Sequence, residues 1–149
     1  MSGRTPSQTV GPYFTIGMSR TRQCDVVPGG GVRIVGRVLD GDGPVHDALV
    51  ELWQQGEEGT LWGRCGTDAD GSFEFVTERP ADGVADVQVF ARGLLRHLVT
   101  RLYFPGVSDE VLEAVEPDRR ETLVAREEDG ALRFDIHLQG DRETVFFAV

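Results

Sequence analysis

The sequence predicts an all-β protein: a two-sheet antiparallel β-sandwich, with one short helix and an extended N-terminal arm. The 149 residues include 19 glycines and 7 prolines, which divide the chain into short apolar segments. Residues of these two types mark turns. Apolar and polar residues alternate within several of the segments, and no sustained 3.6-residue period survives between them. About seven to nine strands at such spacing favour two sheets packed face to face.

The predicted strands follow one another in chain order. The first is Val32–Asp40 (VRIVGRVLD), and residues 48–54 (ALVELWQ) follow the turn sequence GDGP. These two strands form either a hairpin or a sheet corner. Six later segments are also predicted to contain strands: WGRCGTD, SFEFVTE, VADVQVFARG, HLVTRLYFPG, ALRFDIHLQG and ETVFFAV.

Two connecting segments need separate interpretation. Residues 68–71 (DADG) resemble the start of a calcium loop, but Phe73 and Phe75 stand where oxygen ligands would be needed. A plain hairpin turn is therefore predicted there. Residues 108–115 are the one helical candidate, because Ser108 can cap a helix that has apolar residues on one face.

The chain is long enough for one domain with a sizeable core. We expect residues 1–30 to form an arm and linker that contacts a partner subunit, and residues 31–149 to form the sandwich. Within the arm, residues 5–17 (TPSQTVGPYFTIG) combine proline, glycine and aromatic residues. Chain ends are usually polar and frayed, so this stiff segment is expected to pack against a surface.

Composition excludes several classes of function. Lys and Arg total 15 against 25 Asp and Glu, giving a formal net charge of -10 that repels nucleic acids and anionic membranes. Cys24 and Cys65 show no metal-ligand spacing and are predicted to be reduced thiols. No apolar run approaches the roughly 18 residues of a membrane span, and the first residues lack a leader pattern. A soluble, cytoplasmic protein is expected.

The residues that usually carry catalysis form no motif. His46, His97 and His137 lie in different segments without H-x-H or HExxH spacing. No serine stands in a G-x-S-x-G elbow, and no glycine-rich loop opens a helix. The sequence motifs therefore predict a domain without catalytic machinery of its own.

One segment carries more positive charge than its surroundings. The stretch FARGLLRHLVTRLYF places Arg92, Arg96 and Arg101 among apolar residues of an acidic protein. Gly93, next to Arg92, permits the close approach of backbone or ligand. A guanidinium group here is a suitable fork for a ligand carboxylate. An internal ion pair with an acidic residue is the alternative, and the residues alone leave both open.

Five segments in register carry a family resemblance. TPSQTVGPYFTIG, DALVELWQ, FARGLLRHLVTRLYFPG, RRETLVAR and ALRFDIHLQGDRETVFF resemble, in this order, the alpha subunits of protocatechuate 3,4-dioxygenases. These enzymes belong to the intradiol ring-cleavage dioxygenase family. The resemblance extends over residues 5–147.

The resemblance implies a β-sandwich of the transthyretin or prealbumin type, and an active site at the interface of two similar β-sandwiches. It implies that a beta subunit binds Fe3+ through two tyrosines and two histidines. The enzyme cleaves 3,4-dihydroxybenzoate with O2 to 3-carboxy-cis,cis-muconate, a step of the beta-ketoadipate pathway. At the places of the two histidines this sequence has Val84 and Asp86, and residues 54–63 and 80–84 contain no tyrosine. No metal ligand is therefore expected in this chain.

The same resemblance implies roles for four residues of this chain. Gly11 and Pro12 match positions that line the substrate pocket. Tyr13 matches a tyrosine whose hydroxyl receives the iron-ligand tyrosine displaced by substrate. Arg92 matches an arginine near the substrate carboxylate.

The chain is shorter than is typical of such subunits, notably at residues 55–63 and 80–87. These losses would affect interface loops. The alternative is a stand-alone transthyretin-like binding or scaffold domain without catalysis.

Overall fold

The structure of the protein, a computed structural model, describes residues 3–19 and 23–148. The elements in chain order are α1 (Phe14–Met18), β1 (Val32–Asp40), β2 (Gly43–Pro44), β3 (Leu49–Gly56), β4 (Gly59–Gly66), β5 (Ser72–Thr77), β6 (Val84–Phe90), β7 (Leu98–Tyr103), α2 (Glu110–Ala114), a 3-10 turn (Arg120–Leu123), β8 (Arg126–Glu128), β9 (Ala131–Arg133) and β10 (Ile136–His137). No helix among the described residues has the length and apolar character needed to cross a bilayer.

One sheet has four strands in the order β4-β3-β6-β7, and all its pairs are antiparallel. Val50 lies opposite both Cys65 and Val89, so β3 is the strand between two partners. The pairing of Leu49 with Phe90 places the beginning of β3 beside the end of β6. This juxtaposition brings the residues that flank the two strands to one end of the sheet.

The second sheet is built around β1. β5 pairs with β1 antiparallel from Val32↔Thr77 to Arg37↔Ser72, while β9 and β10 pair with β1 in parallel. β1 and β3 therefore belong to different sheets, and the predicted first pair is a sheet corner. The all-β sandwich fold predicted from the sequence is confirmed.

The inner faces of the two sheets form one core. Alternate residues of the paired strands point inward and exclude water, which is the main source of stability in such a sandwich. Its least exposed members include Ile34, Val38, Val50, Val89 and Ile136. A smaller cluster of Tyr103, Leu112 and Leu123 lies beneath α2.

The connection at residues 68–71 differs from the prediction. It joins β4 of one sheet to β5 of the other, so it is a crossing between sheets and the predicted hairpin turn is wrong. The side chain of Asp68 accepts hydrogen bonds from the backbone amides of Asp70 (3.2 Å) and Ser72 (2.8 Å). The carboxylate of Asp68 thus satisfies two backbone amides within this connection.

The predicted helix is present but begins later than expected. Asp109, and not Ser108, caps α2 by accepting a hydrogen bond from the amide of Leu112 at 2.8 Å. The same carboxylate accepts the hydroxyl of Tyr103 at 2.9 Å, which ties the helix to β7. The final predicted strand, ETVFFAV, is reduced to an isolated bridge between Phe147 and Val99.

The prediction of two reduced thiols is wrong, because Cys24 and Cys65 form a disulfide. The segment before β1 runs beside β4 and β5: the amide of Arg64 bonds to the carbonyl of Gln23, and the amide of Val76 bonds to that of Cys24. These contacts bring the two cysteine Cα atoms to 5.1 Å across a sequence separation of 41. The sequence could not show this proximity, since it arises from sheet packing.

We expect no titratable thiol in the denatured, unreduced protein. Reduction should lower the free energy of unfolding by about 4 kcal/mol, the chain-entropy value for a loop of this length. Urea unfolding with and without dithiothreitol measures the difference, and the double variant Cys24→Ser/Cys65→Ser should be insensitive to the reductant. Two thiols titrating without reduction would contradict the pairing.

Candidate functional site

The N-terminal arm is attached to the end of the four-stranded sheet. The hydroxyl oxygen of Thr9 accepts a hydrogen bond from the amide of Gly93 at 2.8 Å. The hydroxyl of Thr15 donates to the carbonyl of Asp47 at 2.8 Å. The arm therefore packs partly against its own chain, at the end where β3 begins and β6 finishes.

Aromatic contacts reinforce this attachment. The ring of Phe14 in α1 lies 6.0 Å from that of Phe90, the last residue of β6. His97 also stacks on Phe90, with 5.1 Å between the two ring centroids. Aromatic pairs at such separations stabilise a contact beyond the area they bury. Phe14 is thus the anchor of a helix too short to persist by itself.

Arg92 lies in the turn that follows β6 and forms an ion pair with Asp47, with 3.3 Å between Nε and Oδ2. The side chain of Arg92 remains 54% exposed, whereas that of Asp47 is 15% exposed. Among the described residues, Arg92 makes no hydrogen bond. The internal ion pair weighed for this arginine is therefore present, and the guanidinium group still faces solvent.

The strand alternation expected around Arg92 ends at Phe90. Residues 91–97 form turns and bends before β7 begins at Leu98, so Arg92 and Arg96 do not share a strand face. The positive φ of Gly93, 96°, is one reason that the chain can turn here. Arg101, in contrast, lies on β7 and pairs with Asp86 and Asp109.

The middle of the arm presents an uncovered surface. Gly11 and Pro12 are exposed, and so is Tyr13 at 79%. Ile16, one turn later, is 75% exposed, and Leu95 beyond Arg92 is 62% exposed. Large apolar side chains are thus left exposed on the arm and in the segment that follows Arg92.

The structure thus brings the four residues singled out by resemblance to one end of the molecule. Gly11, Pro12 and Tyr13 lie on the arm between its two hydrogen-bonded threonines, and Arg92 precedes the glycine that one of them contacts. Sequence reasoning missed Thr9, Thr15 and Asp47. No sequence pattern identifies them, because their partners are 32 to 84 residues away.

Val84 and Asp86, the positions at which the resemblance implies histidines in a beta subunit, lie on β6 in the same sheet. A cavity of about 440 Å³ there is lined by Trp53, Val84, Asp86 and Arg101, among others. The carboxylate of Asp86 lies 3.1 Å from Nε of Arg101. At the edge of this region, burial raises the pKa of the Tyr103 hydroxyl, and its hydrogen bond to Asp109 acts in the same direction.

These residues do not fit a ferric ion held by tyrosines and histidines. Val84 has no donor atom, Asp86 is already paired with Arg101, and Tyr103 is fully buried with its hydroxyl bonded to Asp109. Within residues 3–19 and 23–148, no three His, Cys, Asp or Glu side chains are grouped as metal ligands. No reaction step in this chain is therefore assigned to bound iron.

Curated relatives match nearly the whole chain. The protocatechuate 3,4-dioxygenase alpha chain of Pseudomonas putida is 37% identical over 191 residues, covering 96% of this chain and 95% of the relative. The alpha chain from Burkholderia cepacia is 36% identical over 192 residues, covering 98% of each chain. Both alignments are longer than the 149 residues of this chain. The relatives therefore contain segments that it lacks.

A more distant relative is the protocatechuate 3,4-dioxygenase beta chain of Burkholderia cepacia, 32% identical over 154 residues. That match covers 74% of this chain and 66% of the beta chain. No protein-family model matches the chain.

Solved structures support the same fold. The dioxygenase domain of a dioxygenase and carbohydrate-binding protein fusion from Streptomyces sp. SirexAA-E superimposes with a TM-score of 0.62 at 25% identity. The match covers 96% of this chain and 100% of that domain. Hydroxyquinol 1,2-dioxygenase from Pseudomonas putida DLL-E4 has a TM-score of 0.59 at 22% identity, covering 89% and 65% of the chains. This second likeness concerns the fold alone.

The attachment of the arm predicts the effect of two neighbouring substitutions in the isolated chain. Phe14→Ala should accelerate hydrogen exchange at the amides of Gly17 and Ser19 by about three- to tenfold, since an aromatic pair contributes ~0.5–1.5 kcal/mol. Ile16→Ala should leave these rates unchanged, because Ile16 is exposed. Mass spectrometry of the exchanged arm peptides measures both, and equal rates in the two variants would contradict the proposed anchor.

Proposed function

Because this chain belongs to the family of protocatechuate 3,4-dioxygenase alpha chains, we propose that it is a non-iron-ligating alpha subunit. It completes the active site of an iron-bearing beta subunit. One observation carries the proposal: Tyr13 and Ile16 are exposed on an arm that is hydrogen-bonded to Asp47 and Gly93, at the end of the sheet where the half-exposed Arg92 also lies. The arrangement has the form of one wall of a pocket whose other wall is supplied by a partner.

The proposed reaction is intradiol cleavage of 3,4-dihydroxybenzoate. Both atoms of O2 enter the product, 3-carboxy-cis,cis-muconate, as the bond between the two hydroxylated carbons breaks. Fe3+, which the beta subunit would hold, would activate the catechol ring towards O2. The alpha subunit binds, orients and shields the substrate.

Arg92 is proposed to bind the carboxylate of the substrate. A guanidinium group presents two parallel N–H donors to a carboxylate, and this interaction strengthens when a partner excludes water from the site. The protein as a whole carries a formal charge of -10. Local attraction by Arg92 is therefore needed to bind an anionic catechol.

Gly11, Pro12 and Tyr13 are proposed to form the wall. Glycine leaves room for the aromatic ring, and the fixed φ of proline keeps this part of the arm stiff. The exposed hydroxyl of Tyr13 is available to the beta subunit, where it is proposed to receive the tyrosine displaced by substrate. This role needs a neutral phenol that can accept and donate one hydrogen bond.

The cytoplasm stays the predicted location of the complex. A disulfide between Cys24 and Cys65 is unusual for that compartment. Thiol labelling in lysates prepared under acid quench measures the state of the two cysteines in the cell.

The proposed subunit role predicts a result from reconstitution. Purified alone, the chain should lack ring-cleavage activity and the visible absorption of tyrosinate bound to iron. Co-expression with a protocatechuate 3,4-dioxygenase beta chain should yield a complex that shows both, because the beta chain is proposed to contribute the iron ligands. A stand-alone binding domain would instead purify as a monomer or homodimer, and the beta chain would fail to associate with it.

The assignment of Arg92 predicts a substrate-dependent effect in that complex. Arg92→Ala should raise KM for 3,4-dihydroxybenzoate by a factor of ~30, about 2 kcal/mol, the lower end for truncating half of a desolvated charge pair. Turnover of plain catechol, which has no carboxylate, should change little. Arg92→Lys is the matched control that keeps the charge and loses the fork. Equal losses with both substrates would show that Arg92 serves only the fold or the interface.

A further inference from the structure

We propose that Thr9, Thr15 and Asp47 are positioning residues for Arg92. We call these three residues together the arm latch. Through these residues, the selectivity of the proposed complex for carboxylated catechols depends on the position of the arm on the sheet. This inference rests on the proposed function, since it concerns the same pocket. It adds residues to which neither the resemblance nor the comparisons give a role.

The first contact of the latch lies next to Arg92 in the sequence. The hydroxyl oxygen of Thr9 accepts a hydrogen bond from the amide of Gly93 at 2.8 Å. The positive φ of Gly93, 96°, is sparsely populated for residues with a side chain. Thr9 therefore fixes the turn from which the Arg92 side chain departs.

The second contact acts on the ion-pair partner of Arg92. The hydroxyl of Thr15 donates to the backbone carbonyl of Asp47 at 2.8 Å, while the carboxylate of Asp47 lies 3.3 Å from Nε of Arg92. The next residue, Ala48, is fully buried, and its amide bonds to the hydroxyl of Thr67 at 3.0 Å. Asp47 is thus fixed to the rigid beginning of β3 on one side and to the arm on the other.

The ion pair with Asp47 leaves the two Nη atoms of the Arg92 guanidinium group available to a ligand. The closest approach of Asp47 is to Nε, and among the described residues neither Nη atom of Arg92 makes a hydrogen bond. A long side chain that is 54% exposed would otherwise lose much rotamer freedom on binding a carboxylate. Holding it through Nε reduces that cost before substrate arrives.

The order of these residues along the arm links the latch to the pocket wall. Gly11, Pro12 and Tyr13 lie between Thr9 and Thr15, so both ends of the wall are held by the latch. The wall that would contact the substrate ring and the arginine that would bind its carboxylate are consequently held at a fixed separation. A fixed separation favours a catechol whose carboxylate stands at the matching distance from its ring oxygens.

The test uses substitutions that remove a hydroxyl without changing charge. Thr9→Val and Thr15→Val are compared in the reconstituted alpha-beta complex, with kcat and KM measured for 3,4-dihydroxybenzoate and for catechol. In each variant the ratio of the two kcat/KM values should fall about fivefold, chiefly through KM for the carboxylated substrate. Thr9→Ser and Thr15→Ser, which keep the hydroxyl, should restore the ratio.

The matched control is Thr5→Val on the same arm, since Thr5 is exposed and makes no hydrogen bond among the described residues. The substitutions are then repeated with Arg92→Ala. There the Thr9→Val and Thr15→Val changes should no longer alter the ratio, because their effect acts through the arginine.

The outcomes separate this inference from the function on which it rests. A ratio that is unchanged in both valine variants, while Arg92→Ala lowers it, overturns the latch and leaves the proposed function standing. A ratio that Arg92→Ala itself leaves unchanged overturns the carboxylate assignment. If the valine variants lower the ratio equally with and without Arg92, the threonines position something other than this arginine, and the inference fails.

Discussion

The antiparallel pairing of β3 with β6 is the constraint on which the candidate site depends. Burial of the inner faces holds the two strands in one register, since Val50 and Val89 lie opposite each other and are both fully excluded from water. That register puts Leu49 beside Phe90. It follows that Asp47, just before one strand, and Arg92, just after the other, meet as an ion pair. A slip of one residue would exchange the faces of the strand and separate them.

The arm uses this end of the sheet because its edge residues offer partners that the sheet itself does not use. The carbonyl of Asp47 and the amide of Gly93 lie outside the ladder of β3 and β6, and hydroxyls of the arm satisfy them. The ring of Phe14 adds apolar contact with Phe90. Tyr13 and Ile16, which flank the consecutive anchoring residues Phe14 and Thr15, are left exposed. One short segment thereby has an attached side and an uncovered side.

Much of the fold could be predicted from the sequence, because alternation and turn residues are local signals. Val32–Asp40 matches the first predicted strand in both bounds. The predictions that were wrong concern contacts between residues distant in the sequence. These are the pairing of β4 and β5 with different strands and the disulfide between Cys24 and Cys65. The candidate site shows the same difference between local signals and non-local contacts. Resemblance singled out Arg92 by its neighbours in sequence, whereas its contact with Asp47 appears only once two distant strands are paired.

The comparison of this chain with the beta chain it resembles explains why the proposed site requires two subunits. The chain is 32% identical to that beta chain over 154 residues, so the two chains are related in sequence. At the positions where the resemblance implies histidine ligands, this chain has Val84 and an Asp86 paired with Arg101. Opposite charges on neighbouring strands stabilise the sheet, and neither side chain supplies the imidazole nitrogen of a histidine ligand. The arm and Arg92 are the features that this chain is proposed to contribute instead, and both leave side chains exposed to solvent.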